Sequence, residues 1–134
     1  MNMALLILIG GVLHFGILLA SALTPRVLDW RHELKKVDPL TRQLVWVHGG
    51  FIVLVIIGFG VVSVVLPAEL AAGTWLARAV CGFVALFWLT RLAVQFFVFD
   101  AKEYLTSAWL RLGYHGLTWV FAYHAVVYSM AALK

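Results

Sequence analysis

Four long apolar stretches fill this 134-residue chain, and they constrain its fold more than any other feature. They lie at about 3–23, 44–66, 75–99 and 112–133. Each is near or above the roughly 20 residues that a helix needs to cross the hydrocarbon core of a bilayer. The sequence therefore predicts an all-α integral membrane protein, a four-transmembrane-helix bundle that forms a single domain over residues 1–134.

The composition agrees with a chain that is dissolved in lipid. Charged residues make up 12% of the sequence and hydrophobic residues 64%, whereas a soluble domain has about 25% charged residues. So few charges cannot cover the surface of a globular protein, and we therefore expect the lipid bilayer to be the partner that contacts this surface. The net charge of +4 would suggest nucleic acid in a soluble protein. In a membrane protein its placement matters more, and no nucleic-acid partner is expected.

The basic residues are distributed unevenly among the connections between these stretches. The first connection carries five of them, Arg26, Arg31, Lys35, Lys36 and Arg42. The second connection, at 67–74, has none, and the third has Lys102 and Arg111. Because basic residues favour cytoplasmic connections, the first and third connections are expected in the cytoplasm. Both termini are then expected on the periplasmic or extracellular side.

One Thr-Pro pair and one Asp-Pro pair in the first connection resemble helix starts. A side-chain oxygen can cap a helix N-terminus, and proline is tolerated at the first helical position. Thr24 followed by Pro25 predicts a short amphipathic helix within 26–37, which would lie along the interface with its basic residues toward anionic headgroups. Asp38 followed by Pro39 predicts that the second long helix begins before its apolar stretch.

Polar residues inside the apolar stretches are the candidate site residues, because each costs free energy in lipid and is by default a functional hypothesis. Counted from the predicted cytoplasmic ends, two lie near the midplane, His14 and His124. Four more lie in the inner leaflet: His48, Arg91, Gln95 and His115. His115 and His124 are nine residues apart, about 180° around a helix, so they point to opposite sides.

Haem b is the cofactor that these residues suit best, since it needs axial ligands, commonly histidine, and benefits from a cation near its propionates. His14 and His124 are the predicted metal ligands, and His48 with His115 is the alternative pair. Arg91 would meet the propionates. The competing interpretation is that no cofactor is bound and that each histidine bonds to neighbouring helices.

Two other functions fit the same residues. A quinone site would use His48, Arg91 and Gln95 as hydrogen-bond partners, with Trp88 as an aromatic wall. A non-catalytic accessory subunit of a larger membrane complex, or a lipid-binding protein, would instead have its polar residues satisfied by a membrane-protein partner, a second copy or a lipid. The sequence does not decide whether the chain is an enzyme.

The first stretch and its connection resemble the HemJ-type protoporphyrinogen oxidases, small four-span membrane proteins. The resemblance is carried by His14, by Pro25 with Arg26, and by the run Trp30, Arg31, His32. It implies haem binding with His14 as an axial ligand. That family has a lysine ligand early in its third helix, where this chain has Arg78. The whole chain also resembles uncharacterised small bacterial membrane proteins that share the stretch at 91–100, which implies a bacterial inner membrane.

Overall fold

The computed structural model describes residues 2–27, 29–98 and 107–133, and these residues form helices without any strand. The elements are α1 (Met3–Val27), α2 (Trp30–Glu33), a 3-10 turn (Leu34–Lys36), α3 (Pro39–Val65), α4 (Pro67–Ala71), α5 (Trp75–Phe97) and α6 (Ala108–Leu133). In this part of the chain, α1, α3, α5 and α6 are long and apolar enough to cross a membrane. The prediction of an all-α, four-span membrane bundle is confirmed. The predicted end of the third span at Phe99 lies outside the described residues.

Side-chain caps explain where α3 and α5 begin. The Asp38 carboxylate accepts hydrogen bonds from the Thr41 hydroxyl at 2.5 Å and from the Thr41 backbone N–H at 3.4 Å. These bonds favour the charged carboxylate and lower the pKa of Asp38 below its ordinary value. Pro39 follows at the first helical position. The Thr74 hydroxyl caps α5 in the same way, accepting from the Ala77 N–H at 3.1 Å.

The first connection differs from its prediction in one respect. Thr24 and Pro25 do not begin a separate helix, because α1 continues through Pro25 to Val27. Pro25 has no N–H to donate to the carbonyl four residues earlier, so α1 passes through it without that hydrogen bond and ends two residues later. The chain then turns at Asp29, whose φ of 51° is left-handed, a conformation that aspartate adopts more readily than most residues. The short helix predicted after the first span is α2.

The packing order of the long helices leaves one gap in the bundle. Helices α1 and α6 pack together at the centre, α3 packs on α1, and α5 packs on α6. Helix α4 closes one end by packing against α1 and α5. By contrast, the backbones of α3 and α5 stay apart, and these helices meet through the Phe59 ring, which packs on Phe83 and Phe87. A groove therefore runs between α3 and α5, with α1 as its floor.

Candidate functional site

His14 on α1 and Trp88 on α5 meet in the middle of the bundle, and both are almost fully buried. The Trp88 indole N–H donates to His14 Nε2 at 2.9 Å. An indole nitrogen can only donate, so His14 Nε2 must be the acceptor. The other ring nitrogen, Nδ1, therefore carries the proton and donates to the Gly10 carbonyl at 2.7 Å. His14 is held as one tautomer of the neutral imidazole.

His124 on α6 joins this site through the same backbone carbonyl. Its Nε2 lies 2.8 Å from the Gly10 oxygen, and its Nδ1 lies 2.8 Å from the Val120 oxygen. A carbonyl only accepts, so a neutral ring donates to one of these oxygens and a doubly protonated ring donates to both. The His14 and His124 ring centroids are 4.1 Å apart. A hydrogen-bond network therefore connects α1 with α6.

Tyr128 extends the network to α3. It lies one turn beyond His124, their rings stack with centroids 5.9 Å apart, and its side chain is fully buried. The Tyr128 and Ser63 hydroxyl oxygens are 2.5 Å apart, and either can be the donor. Polar groups in a membrane need such partners because hydrocarbon provides none. We call His14, Trp88, His124, Tyr128 and Ser63 the histidine network, which joins all four long helices.

A haem held by both histidines does not fit these rings as they stand. The two rings touch, so no porphyrin plane can lie between them. Both Nε2 atoms already have partners, the Trp88 indole and the Gly10 carbonyl. Among the described residues, no three His, Cys, Asp or Glu side chains are grouped where they could hold a metal ion. Haem binding at this pair would require the rings to separate and these hydrogen bonds to break.

Arg91 lies one turn from Trp88 on α5 and faces a cavity of about 700 Å³ in the groove between α3 and α5. This volume is within the range of small-molecule sites. Most of the cavity wall is apolar, and its aromatic members are Trp30, Trp46, Phe87, Trp88 and Phe121. Arg91 is the charged member of the wall in the described part of the chain. We call this space the Arg91 cavity.

The Arg91 cavity opens sideways toward lipid. On its α3 wall, Ile52 is 51% exposed and Val53 is 36% exposed. The Arg91 guanidinium carbon lies 5.4 Å from the centroid of the Phe121 ring, a distance at which a cation is attracted to the face of an aromatic ring. The cavity therefore combines a cation, flat aromatic walls and lateral access from the membrane.

The other predicted inner-leaflet residues lie apart from this cavity wall. Gln95 is buried and donates from Nε2 to the Thr118 hydroxyl, which bridges α5 and α6. His48 is exposed and its Nδ1 lies 2.8 Å from the Leu44 carbonyl of its own helix. His115 is also exposed. Of the four residues predicted to cluster in the inner leaflet, Arg91 is the one that lines the cavity.

The sequence prediction did not include Tyr128 or Ser63 in the site. A signal for Tyr128 was available, because it lies four residues after His124 and therefore on the same helix face. Ser63 is a single hydroxyl within a run of valines and offers no comparable signal. Trp88, which the sequence suggests as an aromatic wall of a quinone site, lines the Arg91 cavity. Its hydrogen bond to His14 depends on how α1 and α5 are placed.

Comparison with known proteins identifies no relative of this chain. No protein-family model, no curated protein and no solved structure matches the chain.

Proposed function

We propose that this protein binds a lipid-soluble ligand with a flat ring and oxygen acceptors, of the quinone class, in the Arg91 cavity. The observation that carries the proposal is the position of Arg91, a permanent cation in the wall of a cavity of about 700 Å³ that opens toward lipid. A guanidinium presents several N–H donors in one plane, which suits carbonyl or carboxylate oxygens.

The walls of the cavity support a ring-shaped ligand. Trp88 and Phe121 stack on each other, with centroids 5.0 Å apart and planes 22° apart, so together they form one aromatic wall and leave no space for a ring between them. A flat ring would gain dispersion and quadrupole interactions against such walls. The lateral opening lets a ligand that is dissolved in the bilayer enter without crossing water.

The experiment compares quinone binding by the native protein and by Arg91→Leu in lipid nanodiscs, measured as saturable quenching of tryptophan fluorescence by a decyl-substituted benzoquinone. Loss of a hydrogen bond from a charged donor is worth about 1.5–3 kcal/mol, so the affinity should fall roughly tenfold to a hundredfold. Arg78→Leu is the matched control. Arg78 lies on the same helix but donates to the Ala132 carbonyl, away from the cavity.

Two results would contradict this proposal. The first is quenching that does not saturate with the native protein, which would mean that the quinone only partitions into the lipid. The second is that the native protein and Arg91→Leu bind the quinone with equal affinity and that Arg91→Leu melts at the same temperature as the native protein or a higher one. Arg91 would then merely reach the membrane surface.

Haem binding is the second candidate, and it is supported by two histidines from different helices that lie in one buried site, although their rings would have to separate to ligate the iron. Purified protein should then show a Soret band that shifts on reduction. His14→Ala should abolish that band, whereas His32→Ala, in the exposed first connection, should retain it. A colourless native protein would remove this candidate.

The proposed location is a bacterial inner membrane, with the first connection in the cytoplasm and both termini outside. The basic residues of that connection support this orientation. The Arg91 cavity would then lie in the cytoplasmic half of the bilayer, because its wall includes Pro25 and Trp30 at that end of the bundle.

A further inference from the structure

The groove between α3 and α5 contains a second cavity, of about 410 Å³, on the side of the bundle closed by α4. Its wall includes Gly58 and Val62 from α3 and Ala79, Val80 and Phe83 from α5. Helix α4 contributes Leu70. We call this space the α4-side cavity.

The wall of the α4-side cavity is suited to hydrocarbon rather than to water or a polar ligand. Ser63 provides a hydroxyl in this wall, and that hydroxyl is already bonded to Tyr128. The remaining wall residues have apolar side chains or are glycine. Water in such a cavity would find too few hydrogen-bond partners. The expected occupant is therefore an apolar chain.

The two cavities lie end to end along the same groove. Phe59 lines the α4-side cavity and packs edge-to-face on Phe87, with centroids 5.3 Å apart, and Phe87 lines the Arg91 cavity. The Phe59 ring, which also packs on Phe83, therefore separates the cavities, and a ligand in both would pass over the half-exposed side of this contact. Arg91 and Ala79 are twelve residues apart on α5, so about 18 Å of helix lies between them. A ligand that occupied both cavities would be long and thin.

We infer that the ligand of the Arg91 cavity carries a long prenyl-type hydrocarbon tail, which lies along the groove and occupies the α4-side cavity. This inference rests on the proposed function, because it assigns the ring of the same ligand to Arg91. The groove supplies contacts to the tail over the length of α3 and α5, and its open side lets the tail enter from the bilayer.

The test compares two benzoquinones in nanodiscs, one without a tail and one with a long prenyl tail, at matched concentrations per lipid. The native protein should bind the tailed compound about tenfold more tightly, which corresponds to roughly 1.4 kcal/mol. Gly58→Phe and Ala79→Phe each add a phenyl ring to the α4-side cavity, on opposite walls. A methyl group at Gly58 would meet nothing within 4 Å, so there is space for the added side chain.

Both filled variants should lose the advantage of the tailed compound and keep the affinity for the tail-less one. Val61→Phe is the control, because Val61 is 45% exposed on α3 and does not line the cavity. Melting temperatures of all variants report whether they fold. Loss of tail preference in the control as well would contradict the inference.

The outcomes separate this inference from the function on which it rests. If the native protein binds both compounds equally and the filled variants change neither affinity, a bilayer acyl chain occupies the α4-side cavity and the inference is wrong, while the ring site stands. If the native protein binds neither compound, the proposed quinone function fails, and the assignment of the tail fails with it.

Discussion

At the scale of single residues, the buried polar groups of the histidine network satisfy one another rather than reaching water. The Trp88 N–H and the Gly10 carbonyl complete the hydrogen bonds of His14. Tyr128 bonds to Ser63 on α3. Because an unpaired polar group is costly in hydrocarbon, these pairs make specific helix contacts that apolar packing alone would not select.

Removing the Tyr128 hydroxyl should destabilise the bundle by a modest amount. Tyr128→Phe keeps the ring and deletes the hydrogen bond to Ser63, and interhelical hydrogen bonds in membranes are worth about 0.6 kcal/mol and up to about 1.7 kcal/mol. Unfolding of Tyr128→Phe, Ser63→Ala and the double variant in detergent measures the coupling between the two residues. Strictly additive losses would show that this hydrogen bond does not contribute to stability.

At the scale of elements, α1 and α3 approach so closely that side chains are excluded from their contact. A Cβ atom added at Gly11 would lie 2.8 Å from Val64 Cγ2 and 3.0 Å from the Val64 backbone nitrogen. A Cβ atom at Gly60 would lie 2.9 Å from the Phe15 ring. Small residues allow this approach. The close van der Waals packing that results stabilises the helix contact in lipid, where the hydrophobic effect does not drive helices together.

Gly11→Ala should therefore force α1 and α3 apart, and we expect a loss of about 1–3 kcal/mol, as is typical when atoms are added to a packed core. Gly16→Ala is the control on the same helix, because its Cβ would meet nothing within 4 Å. Alanine is the better helix former by roughly 0.5–1 kcal/mol, so that variant should be neutral or more stable. Equal melting temperatures for the two variants would contradict the close packing of α1 on α3.

At the scale of the whole molecule, four helices surround one shared network and leave one groove open. The network draws one residue from each of α1, α3 and α5 and two from α6, whereas the groove exists because the backbones of α3 and α5 stay apart. A ligand in the groove would touch Trp88, which also belongs to the network. The interior of the bundle and its open side are therefore in direct contact.

The orientation of the whole molecule is testable with fusion reporters. Five basic residues in the first connection against none at 67–74 should keep the first connection in the cytoplasm. A reporter that works only in the periplasm should be active when fused after Lys134. The same reporter should be inactive when it is inserted after Lys36. The opposite pattern would reverse the orientation and place the Arg91 cavity in the outer half of the bilayer.

The four helices, the Asp38 cap at the start of α3 and the place of His14 and His124 within apolar helices could be predicted from the sequence. Each of these follows from local information: the length of an apolar run, the hydrogen bond of a capping side chain, and the cost of a polar group in lipid. Part of the site was predictable in the same way, because Arg91 and Trp88 share one face of α5 by their spacing.

What those residues contact depends on how the helices pack. The sequence does not say which helices are neighbours, and therefore it could not predict that Trp88 donates to His14 or that His48 and His115 are exposed. The gap between α3 and α5, and with it the groove, is likewise a property of the packing order. These features depend on how close the helix backbones come, which local periodicity along one chain does not encode.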